Sequence, residues 1–264
     1  MEKFLLVNVP TVLLALLAFG VAVGLAIGGL LLVRRSVALS TLERHNDVAG
    51  FIIAVIGVLY AVLLAFVVVI SWQNFDNASQ LATSEAELVT GLYRDASAFQ
   101  PQTAVIRRDL KTYAHSVVDD EFPAMSRHQR EDRRADSALD TVWNDYRAFT
   151  PQNQTQEAFY ADSIKRLNDL QGHREDRVEA AGSTLPGQLW WVLLAGGVIT
   201  IGFTYFFGVR SLGAQTLMVS ALAGMISLTL FLILSLDLPF SGDLAVRPSA
   251  MRHAITEFQH YENS

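Results

Sequence analysis

The chain has no cysteine. That excludes disulfides, thiolate metal sites and a cysteine nucleophile, and leaves the redox compartment open. Charge is scarce: Asp, Glu, Lys and Arg make up 17% of residues, against about 25% in soluble domains. A basic excess is also missing. The formal net charge is −6, the wrong sign for a nucleic-acid surface, so no nucleic-acid partner is expected. Catalytic signals are few. There is no Gly-rich phosphate loop and no nucleophile elbow. The six histidines do not cluster. His253, Glu257 and His260 would share one helix face, as metal ligands do, but the same spacing describes polar residues on a wet face. Asp119-Asp120-Glu121 is a run of carboxylates that could touch Ca²⁺. Consecutive residues point in different directions on a helix, so the run reads as a solvated turn. The chain is not expected to be an enzyme, and no cofactor or metal is assigned.

Long apolar runs are what the chain has in abundance. Hydrophobic residues make up 51% and the mean hydropathy is +0.30. No charge falls between Lys3 and Arg34, Asp47 and Asp76, Glu179 and Arg210, or Arg210 and Asp237. A spanning helix needs about 20 apolar residues, and only hydrogen-bonded helices or closed barrels satisfy the backbone in lipid. The fold class is therefore all-α, with four transmembrane helices near 8–33, 49–72, 188–208 and 212–236. The first run is too long for a signal-peptide core and is followed by Arg34-Arg35, with no small-residue cleavage pattern, so it is read as a retained span. Trp72, Trp190, Trp191 and Tyr205 sit near run ends, where an aromatic belt places them. Gly20-x-x-x-Gly24-x-x-x-Gly28 in the first span is the spacing that lets helix backbones approach closely. Inside the runs there is no ionisable side chain. That speaks against a proton-coupled pump, yet permits a pore gated by an apolar constriction.

Nearly all the charge lies in residues 74–187, with 19 acidic and 13 basic side chains. The predicted organisation is 1–72 for the first two spans, 73–187 for a polar helical domain, 188–236 for the last two spans and 237–264 for a tail. Phe75, Ala78, Ala82, Val89, Leu92, Ala96 and Phe99 recur at helical steps. With no Gly or Pro at the exit of the second span, one long helix should leave the bilayer and end at Pro101. Further helices are expected over 102–118, 136–149 and 154–182, with Pro123 and the polar stretch 126–134 forming a loop. Such narrow apolar stripes must bury a seam against one another or against neighbouring subunits. In the tail, Met251, Ala254, Ile255, Phe258 and Tyr261 form a short amphipathic helix, suited either to the membrane surface or to docking on the domain. Basic residues near the span ends are Arg34, Arg35, Arg44 and Arg210 on one side and Lys3, Arg174, Arg177, Arg247 and Arg252 on the other. The charge rule therefore does not choose an orientation.

The exit of the second span reads Trp72-Gln73-Asn74-Phe75-Asp76-Asn77. It resembles the end of the second helix in bestrophins, the anion-channel family. Pro239-Phe240-Ser241-Gly242-Asp243 is similar to the Pro-Phe-Gly-acidic segment that follows their fourth span. Over nearly its full length the chain looks like the prokaryotic bestrophin-like membrane proteins. The shared features are Tyr60, Phe66, Trp72, Phe75 and Asp76, then Glu121-Phe122-Pro123, Leu185-Pro186 and Leu236–Gly242. This resemblance implies a homo-oligomer, a pentamer, in the cell membrane, with the polar domain in the cytoplasm. It further implies a central pore lined by the second helix and a permeant anion such as chloride. In register with Trp72 the gate falls on Ala54, Val58 and Val62, continued along the same face by Phe66 and Ile70. The sequence departs from the family in two places. Bulky Ile and Phe at the bestrophin gate are replaced by Ala and two Val, which would give a wider constriction. Asp243 is followed by Leu244, Ala245, Val246 and Arg247, and one carboxylate is too few for the six to eight oxygens of a Ca²⁺ site. The alternative to a channel is a non-conducting membrane anchor whose acidic helical domain binds a protein partner.

Overall fold

A computed structural model describes residues 10–43, 46–99, 101–127 and 133–262, without the side chains of residues 40 and 41. Lys3, Arg44, the first two residues of the first expected span and residues 128–132 of the expected loop lie outside this set. The chain is all-helical. Among the described residues, four helices are long and apolar enough to cross a membrane. Its described residues divide into two compact units, 10–73 with 184–237 and 74–183 with 238–262.

The first unit holds the apolar helices. They are α1 (Thr11–Ser36), a short α2 (Leu39–Glu43), α3 (Asn46–Asp95) as far as Gln73, α8 (Gly187–Thr204) and α9 (Leu212–Leu236). α1 and α9 pack through Ala26, Leu30, Val219 and Ala223. α3, α8 and α9 meet around Tyr60, Leu64, Val67, Leu193, Ile226 and Ile233. Within the protomer, glycines make close contacts in the third and fourth spans and at Gly29. Gly20, Gly24 and Gly28 face open space within the chain. Instead, Gly29 lies against the ring of Tyr205, and Gly196 and Gly197 lie against Tyr60. Within the protomer, the rings of Tyr205 and Tyr60 lie where a side chain at Gly29, Gly196 or Gly197 would go. The third span is shorter than expected. After Thr204 the chain turns through i→i+3 bonds from Tyr205 to Gly202 and from Phe206 to Phe203. The following loop is tied to the start of α3. Asn46 Nδ2 donates to the Gly208 carbonyl (3.2 Å), and Gly208 N–H donates to Asn46 Oδ1 (2.9 Å). Arg34 closes the same region, donating to the Val209 carbonyl and through Nε to Gln215 Oε1 at 2.9 Å.

The second unit takes α3 from Asn74 onward, then α4 (Thr103–Ser116), a π-helical segment Val117–Glu121, α5 (Phe122–Ser126), α6 (Arg133–Ala148), α7 (Gln154–Gly182) and α10 (Ser249–Glu262). α3 is unbroken from Asn46 to Asp95, as the absence of a breaker at the span exit requires. α7 starts on a reciprocal cap. Asn153 Oδ1 accepts from Gln156 N–H and Gln156 Oε1 accepts from Gln152 N–H, which satisfies two otherwise orphaned amides. The core is aromatic, and Phe99 sits edge-on to both Tyr146 and Phe149. Pro123 is not in a loop. It occupies the first turn of α5, where a missing N–H costs little. The tail helix docks on this unit, with Met251, Ala254 and Phe258 buried in the core and Phe258 stacked on Tyr93 at 4.1 Å.

Candidate functional site

The candidate pore positions lie on the first half of α3. Ala54, Val58, Val62, Phe66 and Ile70 are all exposed on the protomer, Val58 by 63% and Phe66 by 66%. The i, i+4 spacing puts them on one face. The far side of the helix is anchored instead. Tyr60 is buried and its hydroxyl donates to the Leu193 carbonyl at 2.9 Å. Ser71, Leu64 and Val67 are buried as well. α3 thus presents an uncharged, unfilled face over the same stretch in which its other face is fixed to α8 and α9.

The residues at the end of the span divide in the same way. Trp72, Gln73, Asn74 and Asn77 are exposed. Phe75 packs at the edge of the polar unit's core, and Asp76 accepts from Gln80 Nε2 at 2.7 Å. The other motif residues prove to be fasteners. Leu185 N–H donates to Asp237 Oδ1 at 2.7 Å, which joins the Leu-Pro and Leu-Asp motifs. Phe122 meets Phe240 edge-to-face at 5.7 Å, and Ser241 Oγ donates to the Ser126 carbonyl at 3.0 Å. These two contacts join Glu121-Phe122-Pro123 to the segment after the fourth span. That segment is a tight turn. Val246 N–H reaches back to the Pro239 carbonyl at 2.7 Å, and Gly242 takes φ 84°, which a side chain tolerates poorly.

The strongest electrostatic feature was not expected. Arg177 is fully buried. Its Nε donates to Glu85 Oε2 at 2.5 Å, and its Nη2 to Glu85 Oε1 at 3.1 Å and to Glu121 Oε2 at 2.5 Å. Arg174 donates to Glu121 Oε1 at 2.7 Å and to Asp136 Oδ1 at 3.0 Å. Tyr113 donates to Glu85 Oε1 at 2.7 Å. Burial, together with the Glu85 charge, pushes the Tyr113 hydroxyl well above its ordinary range, so it stays a donor. The guanidinium of Arg177 also lies over the Phe122 ring at 5.0 Å. Glu121 therefore faces the interior. The expected solvated turn is instead a π-helical segment, in which Asp119 is exposed and Asp120 is half-buried and accepts from Arg134 at 2.6 Å. A signal was present in the sequence. Glu85 falls at helical spacing inside the stripe Ala78, Ala82, Val89, Leu92, and Arg174 and Arg177 continue the stripe of Leu167 and Leu170. Charges in step with an apolar stripe are buried with partners or not at all.

Among the described residues no group of three or more His, Asp or Glu is placed to hold a metal ion. His253 Nε2 lies 3.4 Å from Glu257 Oε1 on an exposed face. Asp243 shares its cavity with Arg247 and Arg252 and has a partner of its own. One engaged carboxylate beside two guanidinium groups does not fit a Ca²⁺ ion.

This architecture defines a multi-pass helical membrane protein. A family model for the Bestrophin-like domain matches residues 20–251, and the chain belongs to that family. Similar solved structures include a single-substitution variant of a bacterial Bestrophin homologue from Klebsiella pneumoniae. It is 14% identical with a TM-score of 0.71, over 93% of this chain and 99% of that one. A second variant of the homologue is 14% identical with a TM-score of 0.66, over 91% and 98%. A structure described as a membrane protein is 15% identical with a TM-score of 0.60, over 92% and 96%. At such identities the likeness establishes the fold. No curated protein matches the chain.

Proposed function

We propose that the chain forms a homo-oligomeric, pentameric ion channel in the cell membrane. The pore is lined by the first half of α3, and anions such as chloride are the permeant species. Known members of the family are oligomeric anion channels. The observation that carries the reading is the α3 face of Ala54, Val58, Val62, Phe66 and Ile70: uncharged, exposed on the protomer and backed by a side fastened through Tyr60 to Leu193. Five copies of that face around an axis make stacked apolar rings. A ring of valines excludes water when narrow and conducts when it widens. Ala54 makes the first ring the widest. In this reading the polar unit is cytoplasmic, no Ca²⁺ is needed for gating, and the chain performs no catalysis.

The test is purified protein in planar bilayers under a chloride gradient. A chloride-selective current is expected, and it should shrink when Val62→Phe narrows the middle of the pore. Absence of chloride and cation current from protein shown to be folded and oligomeric would overturn the channel reading. The non-conducting anchor with a partner-binding acidic domain would then stand.

A further inference from the structure

Three buried side chains bring unpartnered oxygen atoms together in the polar unit. Asp95, Tyr146 and Ser163 are all buried, the last two fully. The Tyr146 ring on α6 meets Phe99 at 5.6 Å and Tyr160 at 6.5 Å. Phe99 follows Asp95, the last residue of α3, across the short turn Ala96–Ala98. Tyr160 lies about one turn before Ser163 in α7, on the same side of the helix. The two ring contacts therefore bring Asp95 and Ser163 alongside Tyr146. Burial above all pushes the Tyr146 hydroxyl above its ordinary range, the neighbouring Ser163 hydroxyl acts against this, and the Asp95 charge adds to it. Yet Tyr146 OH, Ser163 Oγ and Asp95 Oδ2 have no hydrogen-bond partner among the described residues. Arg166 does not supply the missing donor. Its Nε lies 3.3 Å from Asp95 Oδ2, but the single proton there is given to Asp162 Oδ2 at 2.8 Å.

We infer that a buried structural water joins Asp95, Tyr146 and Ser163 and ties the end of α3 to α6 and α7. Nearly all buried polar groups are hydrogen-bonded, either to protein or to ordered water. Here two groups are hydroxyl donors and the third, a carboxylate oxygen, only accepts. A water accepts from both hydroxyls and donates to Asp95 Oδ2. That makes about three hydrogen bonds, the number a buried water typically forms. Charged occupants do not fit. A cation would sit beside the Arg166 guanidinium, and an anion beside the Asp95 carboxylate. The inference does not depend on conduction.

The experiment uses the full chain in lipid nanodiscs. A structure at a resolution that shows ordered water should hold a density peak about 3 Å from all three oxygens. Hydrogen exchange of segments 88–99 and 154–170 then reads the variants. Were the two hydroxyls merely stranded, Tyr146→Phe and Ser163→Ala would leave exchange unchanged or slow it. With a bridging water each should speed it about fivefold, the loss of one net hydrogen bond. Tyr146→Phe/Ser163→Ala should do little more than either change alone, because the water loses its site with its first anchor. Asp95→Asn in each single background separates a water from a direct bond between the hydroxyls. The water predicts non-additive effects with both, whereas the direct bond predicts that Asp95→Asn adds independently. A wild-type structure without the density peak, unchanged exchange in both single variants, or an independent effect of Asp95→Asn would each overturn the inference.

Discussion

Replacing Arg177 with methionine should open the polar unit. In the native chain Arg177 closes three charge-assisted bonds to Glu85 and Glu121, at 2.5, 3.1 and 2.5 Å. Methionine fills a similar volume but leaves Glu85 buried with only the Tyr113 hydroxyl and Glu121 with only Arg174. Removing one partner of a buried pair costs about 3–5 kcal/mol, most of it the uncompensated charge left behind. That is about two to four orders of magnitude in a local opening equilibrium. Hydrogen exchange of segments 103–127 and 163–182 in the full-length protein in detergent should accelerate by that factor. An exposed control, Arg147→Met, should stay within about 0.5 kcal/mol of wild type. The origin of the cost is testable by a second change. If the penalty is the stranded carboxylate, Glu85→Gln in the Arg177→Met background restores part of it, about 1–2 kcal/mol of coupling. Less than a fivefold acceleration in Arg177→Met, or additive effects of the two changes, would refute the reasoning.

Two further outcomes follow from local geometry. A Cβ at Gly208 would lie 2.3 Å from the Glu43 backbone nitrogen and 2.7 Å from its Cα, whereas one at Gly24 meets nothing within 4 Å. Gly208→Ala should therefore lower the thermal midpoint, by an overpacking cost of about 1–3 kcal/mol, while Gly24→Ala leaves the protomer's packing unchanged; equal effects on protein held monomeric in detergent would count against the fold described. Asp145 carries a buried Oδ2 without a hydrogen-bond partner. Burial first, then the bond and charge of Asp109, push it up to about 6, while Arg108 above all holds Asp109 low. A bond between two carboxylates exists only when one is protonated. Between the ordinary carboxylate range and about 6 the folded chain retains the extra proton, so the stabilising contribution of Asp145 is present at acid pH and is lost as pH rises to about 6. Asp145→Asn supplies a permanent donor. It should stabilise the protein at pH 7.5 and not at pH 4.5, by less than about 1 kcal/mol because the side chain is only partly buried and solvent screens it. A difference that does not change with pH would contradict this assignment.

Physical necessity decided how much of the fold was legible in the sequence. Four uncharged runs of spanning length have one affordable backbone in lipid, so the spans and the unbroken exit of α3 followed from composition. The close contacts did not. Gly20, Gly24 and Gly28 carry the recognisable spacing and face open space in the protomer, whereas Gly29, Gly196 and Gly197 lie against tyrosine rings, which spacing does not reveal. Pro123 read as a breaker because a sequence does not show where a helix restarts, and proline is tolerated at a first turn. The tail helix was legible as amphipathic, but its partner became visible only with Phe258 stacked on Tyr93. The buried network was legible in principle, since Glu85 and Arg177 each sit in step with an apolar stripe. Counting them as solvated charge hid them.

The motif residues fall into two physical groups, and the division bears on what the family match means. Leu185, Asp237, Phe122, Phe240, Ser241 and Gly242 fasten the chain to itself: an amide to a carboxylate, a ring to a ring, a hydroxyl to a carbonyl, a turn that needs glycine. Losing any of them would disturb folding before it disturbed permeation. The proposed gate positions belong to the other group. Ala54, Val58 and Val62 are exposed on the protomer, so its folding constrains them weakly, and in the proposed channel their identity is free to set pore width. In the proposed channel the fold is thus shared at 14% identity while the rings carry smaller side chains than the Ile and Phe that the bestrophin resemblance would put there. Smaller rings make a wider neck and a lower barrier to wetting. In the proposed channel the neck is therefore held shut less by side-chain bulk than by the placement of the apolar half of α3, which the Tyr60 bond to Leu193 fastens within its own unit.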